Sequence, residues 1–488
     1  MKNRLFSFSY KTIQPENILF VFFFLAHLAV SNYKPYLVLV LAFWGVSLWL
    51  RRDLLAATWQ TFVGALLFYK ARYFVIPFQA SFAAAQGLVA NTPFVYYLAF
   101  ADFLLLILCY LLIRWRFVLR KRASQKLPFK EATLLFGLLV LGAVTSFTSQ
   151  FAGVSWFGFW RVLFYFLSFL VASEVLRDKK TLTTTINNLL LFVGFNSLLI
   201  VLQKLHGGPL GLLIEDFSTA AFGRFADESV SLYRPGGIYF EPNLSASLIN
   251  LLLPIVFLKT LFTSKNFWRN GLLLFLMALA LLFTASRANW IMAVLMTGAG
   301  YWLASHRLRL AVNSQQQRLL SWGGGILLVL QLPLVLVRLA TLEPALTSSS
   351  GGLAFRLAQL KLAVSFMKQR LLGIGVDAFQ YQILTDLHPA AYFYHFTAPH
   401  NIFLELGTSL GVLGLIILLV FLLKIFTRIK TLLMNSSLAK DQRLLVLGLS
   451  LGFASYWLSG LFYPWLFAPP LAELSWIILG MIYSRSQR

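Results

Sequence analysis

The sequence predicts an all-α, polytopic membrane protein of about 12–14 transmembrane helices, with a large loop carrying an amphipathic helix. Three observations carry that prediction. Of 488 residues, 59% are hydrophobic and only 12% charged, about half the charged share of a soluble domain. Mean hydropathy is +0.76. Apolar runs near the length of a bilayer span recur along the chain, separated by polar or basic breaks.

Taken in order, the runs predict spans at 17–31, 35–50, 54–76, 94–113, 131–147, 159–176, 185–203, 244–262, 271–285, 288–304, 319–338, 402–424, 444–461 and 471–484. The basic N-terminus leads into Ile18–Val30 with no small-residue cleavage site after it, so that run reads as a retained first helix. Residues 1–130 read as an N-terminal helical region. Residues 131–484 read as the main transmembrane domain, with long loops at 204–243 and 339–401. No solenoid period, low-complexity tract or soluble domain interrupts this organisation. The one cysteine, Cys109, lies in an apolar run and excludes an intramolecular disulfide.

The net charge of +24 raises nucleic acid as a partner, but the placement of the charges argues against it. With the N-terminus in the cytoplasm, the alternate loops that fall inside hold 28 of the 41 basic residues, as the positive-inside rule expects. Both termini are then cytoplasmic, and 204–243 and 339–401 face outward. No nucleic-acid motif accompanies the charge, so the basic partners are membrane lipids or an anionic substrate. Arg161, Arg234, Arg287, Arg338, Arg356 and Lys361 fall in the outward half of spans or in outward loops. Guanidinium groups there are costly, and an anionic ligand is one reason for them.

Five stretches are candidates for chemistry. Tyr233-Arg234-Pro235-Gly236-Gly237 leads through Glu241-Pro242-Asn243 into a span. Arg234 thus stands at a helix N-terminus, which already favours an anion. Thr284-Ala285-Ser286-Arg287 is a short polar break between two apolar runs. Leu353–Arg370 spaces Leu357, Leu360, Val364 and Met367 as one helical face beside Arg356, Lys361 and Lys368, which suits a helix on the membrane surface. Gly373-Ile374-Gly375 lacks a preceding strand and reads as a turn in which Asp377 orients its neighbours, rather than a nucleotide site. Pro399-His400-Asn401 opens a span with Glu405 in its first turn. His400 can exchange a proton near neutral pH. The spacing of His388, His395 and His400 does not match a helical metal-ligand pair, so no metal is expected.

Arg356-x-x-x-Leu360, then His400-Asn401, nine residues, and Gly411-x-x-Gly414 together resemble the O-antigen ligase/polymerase family of bacterial envelope glycosyltransferases. The RPGG…PN stretch and the T-A-S-R break look like further family positions. The resemblance implies transfer of a glycan from a polyprenyl-pyrophosphate donor to an acceptor hydroxyl at the periplasmic face of the inner membrane. The implied acceptor is lipid A core or a growing polysaccharide. It further implies an inverting reaction without metal or other cofactor. By position, Arg234 and Arg356 match the arginines that hold the pyrophosphate and His400 the essential histidine. Arg287 is a weaker match, as a phosphate contact. Arg161, Asn401, Glu241, Asp377 and Lys361 complete the set of candidate substrate-binding residues. Ligase and polymerase are not separated. The rival class is an anion or solute transporter of the same architecture, although neither an inverted repeat nor midplane polar groups favour it.

Overall fold

The computed structural model describes residues 14–28, 33–68, 71–75, 95–117, 129–212, 233–239, 241–263, 266–312, 314–318, 321, 325, 352–386, 399–435, 438–463, 466 and 470–486. Among these, the chain forms α1 (Pro15–Leu28), α2 (Tyr33–Arg51), α3 (Leu54–Leu67), β1 (Ala71–Val75), β2 (Val95–Ala99), α4 (Phe100–Phe117), α5 (Phe129–Thr148), α6 (Ala152–Val175) and α7 (Lys179–His206). It continues with α8 (Pro242–Phe262), α9 (Phe267–Phe283), α10 (Arg287–Trp302), α11 (Gly352–Gln369), α12 (Phe379–Asp386), α13 (Ile402–Met434), α14 (Lys440–Ser459) and α15 (Leu471–Ser486).

The predicted fold class holds, and thirteen of the predicted spans correspond to α1–α10 and α13–α15. Five helices (α5–α8 and α13) are long and apolar enough to cross a membrane on length and composition, and α1–α3 and α9 are shorter apolar helices. Span 319–338 lies almost wholly outside the described residues. One local departure is a two-stranded ribbon: β1 pairs antiparallel with β2, Tyr73 opposite Tyr97. The apolar runs at 54–76 and 94–113 are therefore each part helix and part strand. Their ARYFV and VYYLA segments are rich in aromatic and β-branched residues, which suit a pleated surface.

Helix α8 is the axis of the bundle. It packs on α14, α9, α10 and α7 and is the most buried of the candidate spans. Its crossing with α14 is set by Gly448 and Gly452. A Cβ on Gly452 would lie 1.9 Å from the Leu251 carbonyl oxygen, and one on Gly448 2.8 Å from the Ile255 Cα. Small residues four apart let two membrane helices approach to backbone contact.

Helix α13 is discontinuous. Gly411 adopts φ 70°, ψ −176° inside it, a conformation essentially restricted to glycine. Loop 371–377 docks at the break. The Ile374 amide donates to the Thr408 carbonyl (2.9 Å) and the Gly375 amide to that of Ser409 (3.3 Å), so carbonyls freed by the break are satisfied. A Cβ at position 411 would stand 1.9 Å from the Leu371 carbonyl oxygen. Gly411→Ala is therefore expected to lose at least about 1–3 kcal/mol from the backbone alone, read as a lower melting temperature in detergent. A wild-type melting temperature would show that the break is not required.

Candidate functional site

Three chain segments meet where α8, α10 and α13 begin. The first is the turn before α8. Gly237 (φ 66°) sits against α7, where a Cβ would be 2.2 Å from Asn196 Oδ1. Its amide donates to Gln203 Oε1 (2.8 Å), and Gln203 Nε2 donates to its carbonyl (3.1 Å). The Lys204 ammonium donates to the Tyr233 carbonyl at 2.9 Å. These bonds clamp Arg234 between α7 and α8. Glu241 then caps α8, accepting from the Leu244 amide at 2.6 Å.

The second segment is the turn between α9 and α10. Ala285 takes φ 51°, which directs the Thr284 carbonyl at Arg234 and starts α10 at Arg287. Arg234 Nε donates to that carbonyl (2.8 Å), and Nη2 donates to Asn243 Oδ1 (2.9 Å). Asn243 Nδ2 donates in turn to Glu241. Below it, Asn289 is fully buried. It donates to Ser286 Oγ (2.9 Å), and its own oxygens accept from Ser247 and Asn250. Arg287 is partly buried, and its Nη1 has no hydrogen-bond partner among the described residues. It lies close enough to Arg234 for the two charges to repel.

The third segment is the entry to α13. Asn401 caps the helix, accepting from the Phe403 (2.9 Å) and Leu404 (3.1 Å) amides. Its Nδ2 donates to the Leu461 carbonyl (3.1 Å), and the Ile402 amide donates to the Gly460 carbonyl (2.7 Å). This pins the loop after α14 to the helix entry. His400, one residue ahead of the cap, has φ 44°, an uncommon conformation for a side-chain-bearing residue and one often found at functional sites. Arg356, exposed on α11, reaches both His400 and Tyr463 electrostatically.

Tyr463 joins the segments. Its hydroxyl lies 2.9 Å from Ser286 Oγ and donates to Asn243 Oδ1 at 3.2 Å, within electrostatic reach of Glu241, Arg234 and Arg356. The sequence reading missed it. The available signal was a tyrosine in the Gly-Leu-Phe-Tyr-Pro turn between two spans. Among the described residues the cluster holds three guanidiniums, from Arg234, Arg287 and Arg356, with one carboxylate, Glu241. Burial pulls Arg234 below its ordinary value, with Glu241 opposing. A guanidinium starting so high remains charged. Burial also raises the Glu241 carboxyl, while the Leu244 amide and Arg234 pull it back.

Arg161 is buried inside the bundle and paired with Asp102 of α4, its Nη1 at 3.1 and 3.2 Å from the two carboxylate oxygens. Its charge is therefore compensated within the protein, and removing either partner would strand the other at about 3–5 kcal/mol. Asn401 is occupied in capping. Asp377 (φ 59°) packs against Gly158, and its amide faces Ser409 Oγ at 3.4 Å. Burial pushes its carboxyl up to about 7. Its charge couples to Glu405, one turn into α13, rather than to the arginines. Lys361 is exposed on α11 and, five residues beyond Arg356, is rotated from it by about 140°. Helix α11 buries Gln359, Ala363 and Phe366 and exposes Leu357, Leu360 and Val364, the apolar face the sequence pattern marks. Arg338, His388 and His395 lie outside the described residues.

Fold and cluster together define a helical membrane protein with a cluster of arginines where α8, α10 and α13 begin. Residues 272–419 match the model of the O-antigen ligase family. The resemblance drawn from the motifs is thus supported over a stretch that includes Arg287, Arg356, His400 and the Gly411 break. Arg161, Arg234, Glu241 and Tyr463 lie outside it. No curated protein matches the chain.

Burial, reinforced by Arg356, lowers His400 from 6.5 to about 4. Because the folded value lies below the unfolded one, the unfolded chain binds more protons between those values. Stability contributed by neutral His400 is present above about pH 6.5 and lost as pH falls towards 4. The His400→Gln variant should lose less thermal stability than wild type across that window. Superimposable stability–pH profiles would contradict this.

Proposed function

We propose that the chain is an inner-membrane glycosyltransferase that moves a glycan from a polyprenyl-pyrophosphate carrier to an acceptor hydroxyl at the periplasmic face. It works as an O-antigen ligase or a polysaccharide polymerase, on lipid A core or on a growing polysaccharide. The observation that carries this reading is the convergence of Arg234, Arg287 and Arg356 at the helix entries around Tyr463 and His400. Clustered guanidiniums suit a polyanion, and a pyrophosphate is one.

In the reaction the bond between the anomeric carbon and the phosphate oxygen breaks, and the pyrophosphate leaves with the electron pair. The acceptor oxygen bonds to that carbon from the opposite face, inverting it, and gives up its proton. Fixed guanidiniums meet the developing charge without reorganising, and their planar fork suits phosphate oxygens better than an ammonium does. No metal ion is needed for that charge stabilisation. Neutral His400 takes the acceptor proton. Burial, reinforced by Arg356, holds its affinity for protons down. A bound dianion beside Arg356 offsets the smaller, electrostatic part of that effect, so the base strengthens somewhat when the donor is in place.

The test is transfer by purified protein in liposomes, with a polyprenyl-pyrophosphate-linked oligosaccharide offered with and without lipid A core. A lengthened donor ladder without the core identifies a polymerase; product only with it identifies a ligase. His400→Ala should lose about 100-fold or more in turnover, and Arg356→Lys should lose activity although it keeps its charge. Wild-type turnover by His400→Ala would remove that residue from the chemistry. Absence of any product from folded protein with its native donor would favour transport of an anion instead.

A further inference from the structure

The loop between α14 and α15 lies outside the stretch matched to the family. Yet it physically connects the two halves of the site. On one side Gly460 and Leu461 accept hydrogen bonds from Ile402 and Asn401 at the His400 helix entry. A Cβ on Gly460 would stand 2.6 Å from Ile402 Cγ2, so the loop can lie this close only with glycine there. On the other side the Tyr463 hydroxyl reaches Ser286 and Asn243. Asn243 Oδ1 accepts from both Tyr463 and Arg234, so a single amide oxygen carries the link from phenol to guanidinium. Tyr463 is only 8% exposed, and burial raises its phenol above the ordinary value, Ser286 opposing. It therefore stays protonated and remains a donor.

We propose that Tyr463 is a positioning residue of the pyrophosphate site, aiming the Arg234 guanidinium through Asn243 while the Gly460–Leu461 attachment holds that guanidinium in register with His400. The inference rests on the reading of the arginine cluster as a pyrophosphate site. Tyr463 need not touch the donor. Its hydroxyl fixes the acceptor atom on which one arm of Arg234 rests, and bidentate recognition of phosphate depends on the direction of that fork. Without the hydroxyl, the Asn243 side chain keeps its bond to Glu241 but loses the one that fixes its oxygen from the other side, so the Arg234 arm resting on it is less firmly aimed. The tyrosine ring, by contrast, is packing that a phenylalanine also provides.

The experiment measures farnesyl diphosphate binding and donor-dependent transfer on full-length protein in detergent, for wild type, Tyr463→Phe, Arg234→Lys and the double variant. Tyr463→Phe should weaken binding about three- to tenfold, the worth of one hydrogen bond, and raise KM for the donor, while its melting temperature falls only slightly. The double variant should bind no more weakly than Arg234→Lys alone, because the two changes act on one guanidinium. Asn243→Ala cuts the same link from its other end and should reproduce the KM effect. The inference is overturned if Tyr463→Phe binds like wild type while Arg234→Lys does not, or if the two losses multiply. Failure of wild-type protein to bind farnesyl diphosphate overturns the pyrophosphate reading itself, and the inference with it.

Discussion

A guanidinium held among membrane helices must have its charge answered, since neither lipid nor packed protein replaces the water it gives up. The chain answers in two ways. Arg161 is matched by Asp102 inside the bundle, and the pair is complete without any ligand. Arg234, Arg287 and Arg356 are gathered at the end of α8, α10 and α13 with one carboxylate among the described residues. Arg234 is steadied by the neutral oxygens of Thr284 and Asn243, which orient it, with Glu241 in electrostatic reach. On the proposed function an anion completes that site. The surrounding features — the clamped glycine turn, the buried Asn289 network and the loop carrying Tyr463 — hold the cations in place before one arrives.

The His-Asn…Gly-x-x-Gly spacing acquires a mechanical meaning in this fold. Asn401 starts the helix and Gly411 breaks it, leaving a short segment between a cap and a kink. Loop 371–377, at the end of the helix that carries Arg356, is bonded to the carbonyls at that kink. The break thus ties the loop after α11 to the helix that His400 and Asn401 open. Positive φ at Ala285, Asp377 and His400 marks turns where local conformational preference yields to the packing of helices on both sides.

Much of the fold was legible because membrane spans write themselves as length and hydropathy, the most robust of sequence signals. The strands at Ala71–Val75 and Val95–Ala99 were hidden by the same signal, since an apolar run does not say which hydrogen-bonding pattern it adopts. In the candidate site, Arg234, Arg287, Arg356 and His400 could be singled out as costly or titratable groups beside breaks. Arg161 looked alike by that criterion. Its partner Asp102 stands 59 residues earlier in the chain, and only the packing of α4 on α6 shows that its charge is already compensated. Asn401 adjoins His400 but its side chain caps α13, and the charge of Asp377 couples to Glu405. Tyr463 was missed because a neutral phenol carries no electrostatic cost that composition or spacing can expose.

The most direct measurement is an experimental structure of the protein in lipid nanodiscs with a polyprenyl diphosphate bound. The two phosphates are expected between Arg234, Arg287 and Arg356, within hydrogen-bonding distance of at least two of the three guanidiniums, with His400 facing the sugar end. Phosphate density at a different site, with those three arginines turned to other protein groups or to lipid headgroups, would contradict the central claim that this cluster is built for the donor.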